Sequence, residues 1–115
     1  MINAPVDVHL GEFDVVQPDL VLVLETNRII TPSKVKGVPE MLVEIIAPSS
    51  QDNDRALKRS CYEKFGVPEY WVVAPFDHQM LQLFLVDGRY HELPHEDRVF
   101  LQCLPDVSVN PSEVW

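Results

Sequence analysis

Residues 41–73 read MLVEIIAPSSQDNDRALKRSCYEKFGVPEYWVV, and their pattern decides the fold class. Met41-Leu42-Val43-Glu44-Ile45-Ile46 is an apolar run of strand length, stopped by Pro48. Ser49 to Asn53 supplies short polar side chains that accept hydrogen bonds from free backbone amides, the chemistry of a helix start. The spacing predicts a helix from about Asp52 to Phe65, with Leu57, Cys61 and Phe65 recurring every fourth residue as an apolar stripe. Gly66 is placed to cap its C-terminus, and Pro68 follows as expected just past a helix end. Glu69-Tyr70-Trp71-Val72-Val73 reads as the next strand. A helix between two such strands is a crossover, and crossovers join parallel neighbours, normally right-handed.

The flanks extend this unit into a sheet. Upstream, Val6, Val8 and Leu10 alternate with Asp7 and His9 as in a half-buried strand. After Gln17-Pro18-Asp19, the run Leu20 to Leu24 is apolar without interruption, which suits a strand covered on both faces. Residues 25–39 read as a polar connection. Downstream, Gln79 to Val86 and Arg89 to Leu93 form a hairpin through Asp87-Gly88, and Val99 to Leu104 is a short last strand. The tail, Leu104 to Trp115, reads as a docking segment. The expectation is an α/β (α+β) mixed sheet with one crossover helix at about 52–65, in a single domain over residues 1–115.

Composition bounds the function. The 115 residues carry 9 Lys and Arg against 18 Asp and Glu, a net charge of −9. Nucleic-acid binders usually show a basic footprint, so this balance argues against tight non-specific DNA binding, although Arg55, Lys58, Arg59 and Lys64 cluster on the helix. No apolar run approaches the roughly 20 residues of a membrane span. No charged leader with an apolar stretch opens the chain. The expected setting is the cytoplasm, with no membrane partner. Cys61 and Cys103 are too few for a disulfide framework, and the four histidines show no zinc-ligand spacing.

Acids interrupt the apolar strands at two points. Asp19 stands at the start of one strand, and Glu44 lies inside another between Val43 and Ile45. An ionised carboxylate in such a strand is costly to bury unless it is paired or binds a metal. Two carboxylates on neighbouring strands can share a hard cation such as Mg²⁺. Asp54, Lys58 and Tyr62 are spaced by four and share a helix face, so a helix packed on the sheet can aim Lys58 at both acids. Plainer readings of the same residues stay open here. Asp19 also suits a turn, Glu44 suits a structural ion pair with Lys58, and Lys58 and Tyr62 suit a solvated surface.

The runs VVQPDLVLVLETNR, GVPEMLVEIIAPSS and DRALKRSCYEKFGVPEYWVVAP, with the closing LPDVSV, resemble the Uma-two family of restriction endonucleases, within the PD-(D/E)XK nuclease superfamily. The resemblance runs from about Val6 to the C-terminus. It implies a restriction-endonuclease-like fold and Mg²⁺- or Mn²⁺-dependent hydrolysis of phosphodiesters in DNA. Asp19 matches the motif aspartate and Glu44 the second metal-binding acid, with the Ile45 carbonyl as a further ligand. Ile46 occupies the motif's simple lysine position. Lys58 matches the lysine that the family carries on the following helix, and Tyr62 a supporting tyrosine. Two departures stand out: Ala74-Pro75 replaces a common Asp-Pro, and relatives carry more N-terminal elements, including in many superfamily members a further acid. A chain short of those elements is expected to form a homodimer or larger homo-oligomer through the strand near Val6 or the Trp115 tail. The competing expectations are an inactive nuclease-fold interaction or oligomerisation module, and a nuclease fold turned to another phosphate substrate.

Overall fold

The computed structural model describes residues 2–3, 7–31, 34–46, 52–94 and 98–111, and for 2–3 and 52–55 the backbone alone. Val6, the side chain of Asp54, the proposed cap at 49–51 and Trp115 lie outside the described residues.

The crossover unit forms as its pattern demands. Strand β6 (Met41–Ile45), helix α1 (Asp52–Lys64) and strand β7 (Glu69–Ala74) follow in order, and β6 pairs with β7 in parallel, Val43 opposite Trp71. The helix ends in a Schellman motif. Gly66, at φ +76°, donates its N–H to the Glu63 carbonyl, and the buried Val67 donates to that of Tyr62.

Around this unit the sheet grows to six strands, in the order β1 (Ile2–Asn3), β4 (Leu20–Leu22), β6, β7, β8 (Gln79–Val86), β9 (Arg89–Glu92). All pairings except β6–β7 are antiparallel. The β8–β9 hairpin turns at Asp87 and Gly88, both with positive φ, as an Asp-Gly two-residue turn requires. The strand expected around Val8 forms as β2 (Val8–His9) and lies in a second sheet between two short strands absent from the sequence reading, β3 (Val15–Val16) and β5 (Val35–Lys36). The stretch 25–39 is therefore not a plain connection. The last expected strand shrinks to β10 (Val99–Phe100), which pairs with β11 (Ser108–Val109) inside the supposed tail.

Both faces of the six-stranded sheet are covered. On one face Val21, Leu42, Tyr70 and Leu83 pack with Tyr62 and Val67, and with Val8 and Val35 of the second sheet. On the other, Leu22, Met41, Val43, Trp71 and Val73 pack with Val99 and Leu101. Val21 and Leu22 enter opposite cores, which explains the uninterrupted apolar run at 20–24.

The helix sits at a different rotation from the one its apolar stripe suggests. Leu57 is 63% exposed, whereas Tyr62 is fully buried. At 100° per residue, Cys61, Phe65, Lys58 and Tyr62 lie within an arc of about 100°, and Leu57 falls outside it. Burying the large Tyr62 ring edge-on against Tyr70, with centroids 4.9 Å apart, decides the rotation. Phe65 closes the other end, because a Cβ on Gly11 would stand 2.8 Å from its ring.

Candidate active site

That rotation brings three predicted residues together. Glu44 lies on β6 facing α1 and is 5% exposed. The Tyr62 hydroxyl donates to Glu44 Oε1 at 2.6 Å, and Lys58 Nζ stands 3.5 Å from Glu44 Oε2. Lys58 and Tyr62 are one helical turn apart, so one face of α1 engages both oxygens of one carboxylate. The Lys58 side chain is 38% exposed.

Asp19 joins from the neighbouring strand. Its own N–H donates to the Val43 carbonyl, and its carboxylate Oδ2 accepts the Ile45 N–H at 2.6 Å. The Asp19 carboxylate is thus held one residue along β6 from Glu44. A strand residue's N–H and C=O point to the same edge, so the Ile45 carbonyl also faces the Asp19 side. The Ile45 side chain is 51% exposed.

The electrostatics follow from this geometry. Burial pushes the Glu44 pKa above its ordinary value; the Tyr62 hydrogen bond and the Lys58 charge oppose that rise, and the Asp19 charge adds to it. Tyr62 is pushed up chiefly by its burial and then by the Glu44 charge, so its hydroxyl remains a proton donor to the carboxylate. The donor set of two carboxylates and a backbone carbonyl is made of hard oxygens. Such a set fits Mg²⁺, which takes one or two carboxylates and keeps several waters. Among the described residues no group of three or more His, Cys, Asp and Glu side chains forms a metal cluster.

One buried acid escaped the sequence reading. Glu69, at the start of β7, is fully buried on the opposite face of the sheet from Glu44. Its Oε2 accepts from Trp71 Nε1 at 2.7 Å and Gln82 Nε2 at 2.8 Å, and its Oε1 from the N–H groups of Gln102 and Cys103 at 2.9 and 3.1 Å. The signal was present, since Glu69 opens an apolar strand much as Asp19 does. Burial and the adjacent Glu69 carboxylate push the Cys103 thiol up to about 12.

Comparison with known proteins agrees with the fold. The sequence profile of the Uma2 family, described as "Putative restriction endonuclease", matches residues 1–112. No curated protein matches significantly. Among solved structures, a "putative nuclease belonging to DUF820" from Anabaena variabilis superposes with a TM-score of 0.71 at 13% identity. The superposition covers 96% of this chain and 64% of that one, so the chain spans under two thirds of the neighbour's length. At this identity the likeness shows a shared mixed α+β, nuclease-like fold. No helix among the described residues is long and apolar enough to cross a membrane.

Proposed function

The chain belongs to the Uma2 family, and from that premise we propose that it is a divalent-metal-dependent endonuclease of the PD-(D/E)XK type, hydrolysing phosphodiesters in DNA. The observation that carries the reading is the meeting of Lys58 and Tyr62, from a separate element, on Glu44, beside Asp19. Asp19, Glu44 and the Ile45 carbonyl would hold Mg²⁺ or Mn²⁺. A cation held there would polarise the phosphate and lower the pKa of a bound water. Lys58 offers three donors on a flexible stem. Its role is to orient the attacking water and stabilise charge on the phosphate. Tyr62 anchors Glu44. With a net charge of −9, the chain binds DNA weakly away from the site.

The test is cleavage of linear and supercoiled DNA with Mg²⁺ or Mn²⁺, comparing the parent with Lys58→Ala. We expect the variant to lose about 10³-fold or more in rate with little loss of stability, because a partly exposed lysine contributes little to folding. Equal cleavage by both would reject the mechanism.

A second reading, an inactive homo-oligomerisation module, rests on an apolar cleft of about 210 Å³ on the sheet's other face, lined by Leu20, Met41, Ile45, Trp71 and Val109 among others. No cleavage with any divalent metal, together with light scattering from particles larger than the 13.2 kDa chain, would favour it.

A further inference from the structure

The two oxygens of Glu44 are held in different ways. Oε1 accepts from a hydroxyl that is fully buried, on a ring packed against Tyr70. That contact has no room to move. Oε2 faces an ammonium at 3.5 Å whose side chain is 38% exposed and carries four rotatable carbons. This second contact is long for a charge-assisted hydrogen bond and sits at the solvent edge.

From this asymmetry we infer that Tyr62 is a positioning residue that dedicates Oε1 to the protein, and that Lys58 and a divalent cation are alternative partners of Oε2. The inference rests on the metal-dependent reading above and deepens it. In the cation-free chain Lys58 neutralises Glu44 and keeps the buried carboxylate in place. Arrival of the cation takes over that role and releases the Lys58 ammonium. The ammonium then acts on phosphate or water, so loading of the metal and arming of the lysine become one event. Both partners are positive, and a positive charge about 4 Å away disfavours the arrival of a second.

Calorimetric titration of Mn²⁺ into the full chain tests this without any activity measurement. It compares the parent with Lys58→Met, Tyr62→Phe and Asp19→Asn. Lys58→Met keeps the stem and removes the competing charge, and we expect it to bind Mn²⁺ about tenfold more tightly than the parent. Tyr62→Phe keeps the ring and frees Oε1, and we expect it to bind about 10–100-fold more weakly, as when a metal ligand loses its supporting hydrogen bond. Circular dichroism confirms that each variant is folded, and the Lys58→Met arm stands by itself should Tyr62→Phe lose structure. Equal or weaker binding by Lys58→Met, with parent binding lost in Asp19→Asn, overturns the exchange and leaves the metal site standing. Absence of Mn²⁺ binding by the parent, or binding indifferent to Asp19→Asn, overturns the metal site and this inference together.

Discussion

Glu44 and Glu69 sit on adjacent strands of one sheet, face opposite ways, and are almost equally buried. Their partners separate them. Glu69 is saturated by four N–H donors, two from the backbone of residues 102 and 103 and two from Trp71 and Gln82. Each donor is neutral and fixed by the fold, so this carboxylate pins the C-terminal segment to the sheet and has nothing to offer a ligand. Glu44 has one fixed hydroxyl, one movable ammonium, and a second carboxylate beside it that raises its proton affinity. Burial of an acid therefore does not mark a reactive site. What marks it is a partner that can be surrendered, and a like charge nearby that the fold does not relieve.

The sharpest break in the comparison is a stability contrast. Glu69→Ala strands four buried or half-buried donors, and we expect it to cost about 3–5 kcal/mol, lowering Tm by about 10–20 °C. Hydrogen exchange should speed up selectively at residues 99–103. A Tm within a few degrees of the parent would show that Glu69 is no structural pin.

Next in size is the effect of metal. A cation that binds only the folded state stabilises it by mass action, by about 1–3 kcal/mol at 10–100 times its Kd. Millimolar Mg²⁺ or Mn²⁺ should therefore raise the parent's Tm by several degrees and leave that of Asp19→Asn unchanged. The same shift in both proteins would place binding elsewhere.

Smaller again is the titration of Glu44. Its pKa is raised in the folded chain, chiefly by burial, so between the ordinary carboxylate value and the raised one the folded state holds the extra proton. Stability therefore falls as pH rises through that window and stays reduced above it. Glu44→Gln removes the titration and should unfold at the same or a slightly higher temperature at pH 8, by up to about 1 kcal/mol, with a flatter profile in acid. A large loss of stability at pH 8 would make Glu44 a structural acid like Glu69.

The smallest effect concerns the helix that delivers Lys58. Leu57 is largely exposed, so Leu57→Ala should change stability by under about 0.5 kcal/mol, whereas Phe65→Ala, which opens the contact with Gly11, should cost several times more. Denaturant midpoints of the two variants check this. A costly Leu57→Ala would return the helix to the rotation its apolar stripe implies.

The β6–α1–β7 crossover and the β8–β9 hairpin are legible in the residues themselves. Each is specified locally: apolar runs of strand length, Gly66 in a left-handed cap, and Asp87-Gly88 in a two-residue turn. The sequence also singled out Asp19, Glu44 and Lys58, because an acid inside an apolar strand carries an energetic cost that calls for a partner. The tertiary structure alone decided the rest. Strands of two residues, such as β3, β5 and β11, are too short to show a period and exist only because a neighbour completes their hydrogen bonds. The rotation of α1 was ambiguous within one turn, since Leu57, Cys61 and Phe65 and the arc through Lys58 and Tyr62 are both plausible faces. The choice fell to the face whose Tyr62 fills the space beside Tyr70 and whose hydroxyl meets Glu44. Glu69 went unread for the same reason, as its four donors come from residues 2 to 34 positions away and meet only when the sheet and the C-terminal segment close on one another.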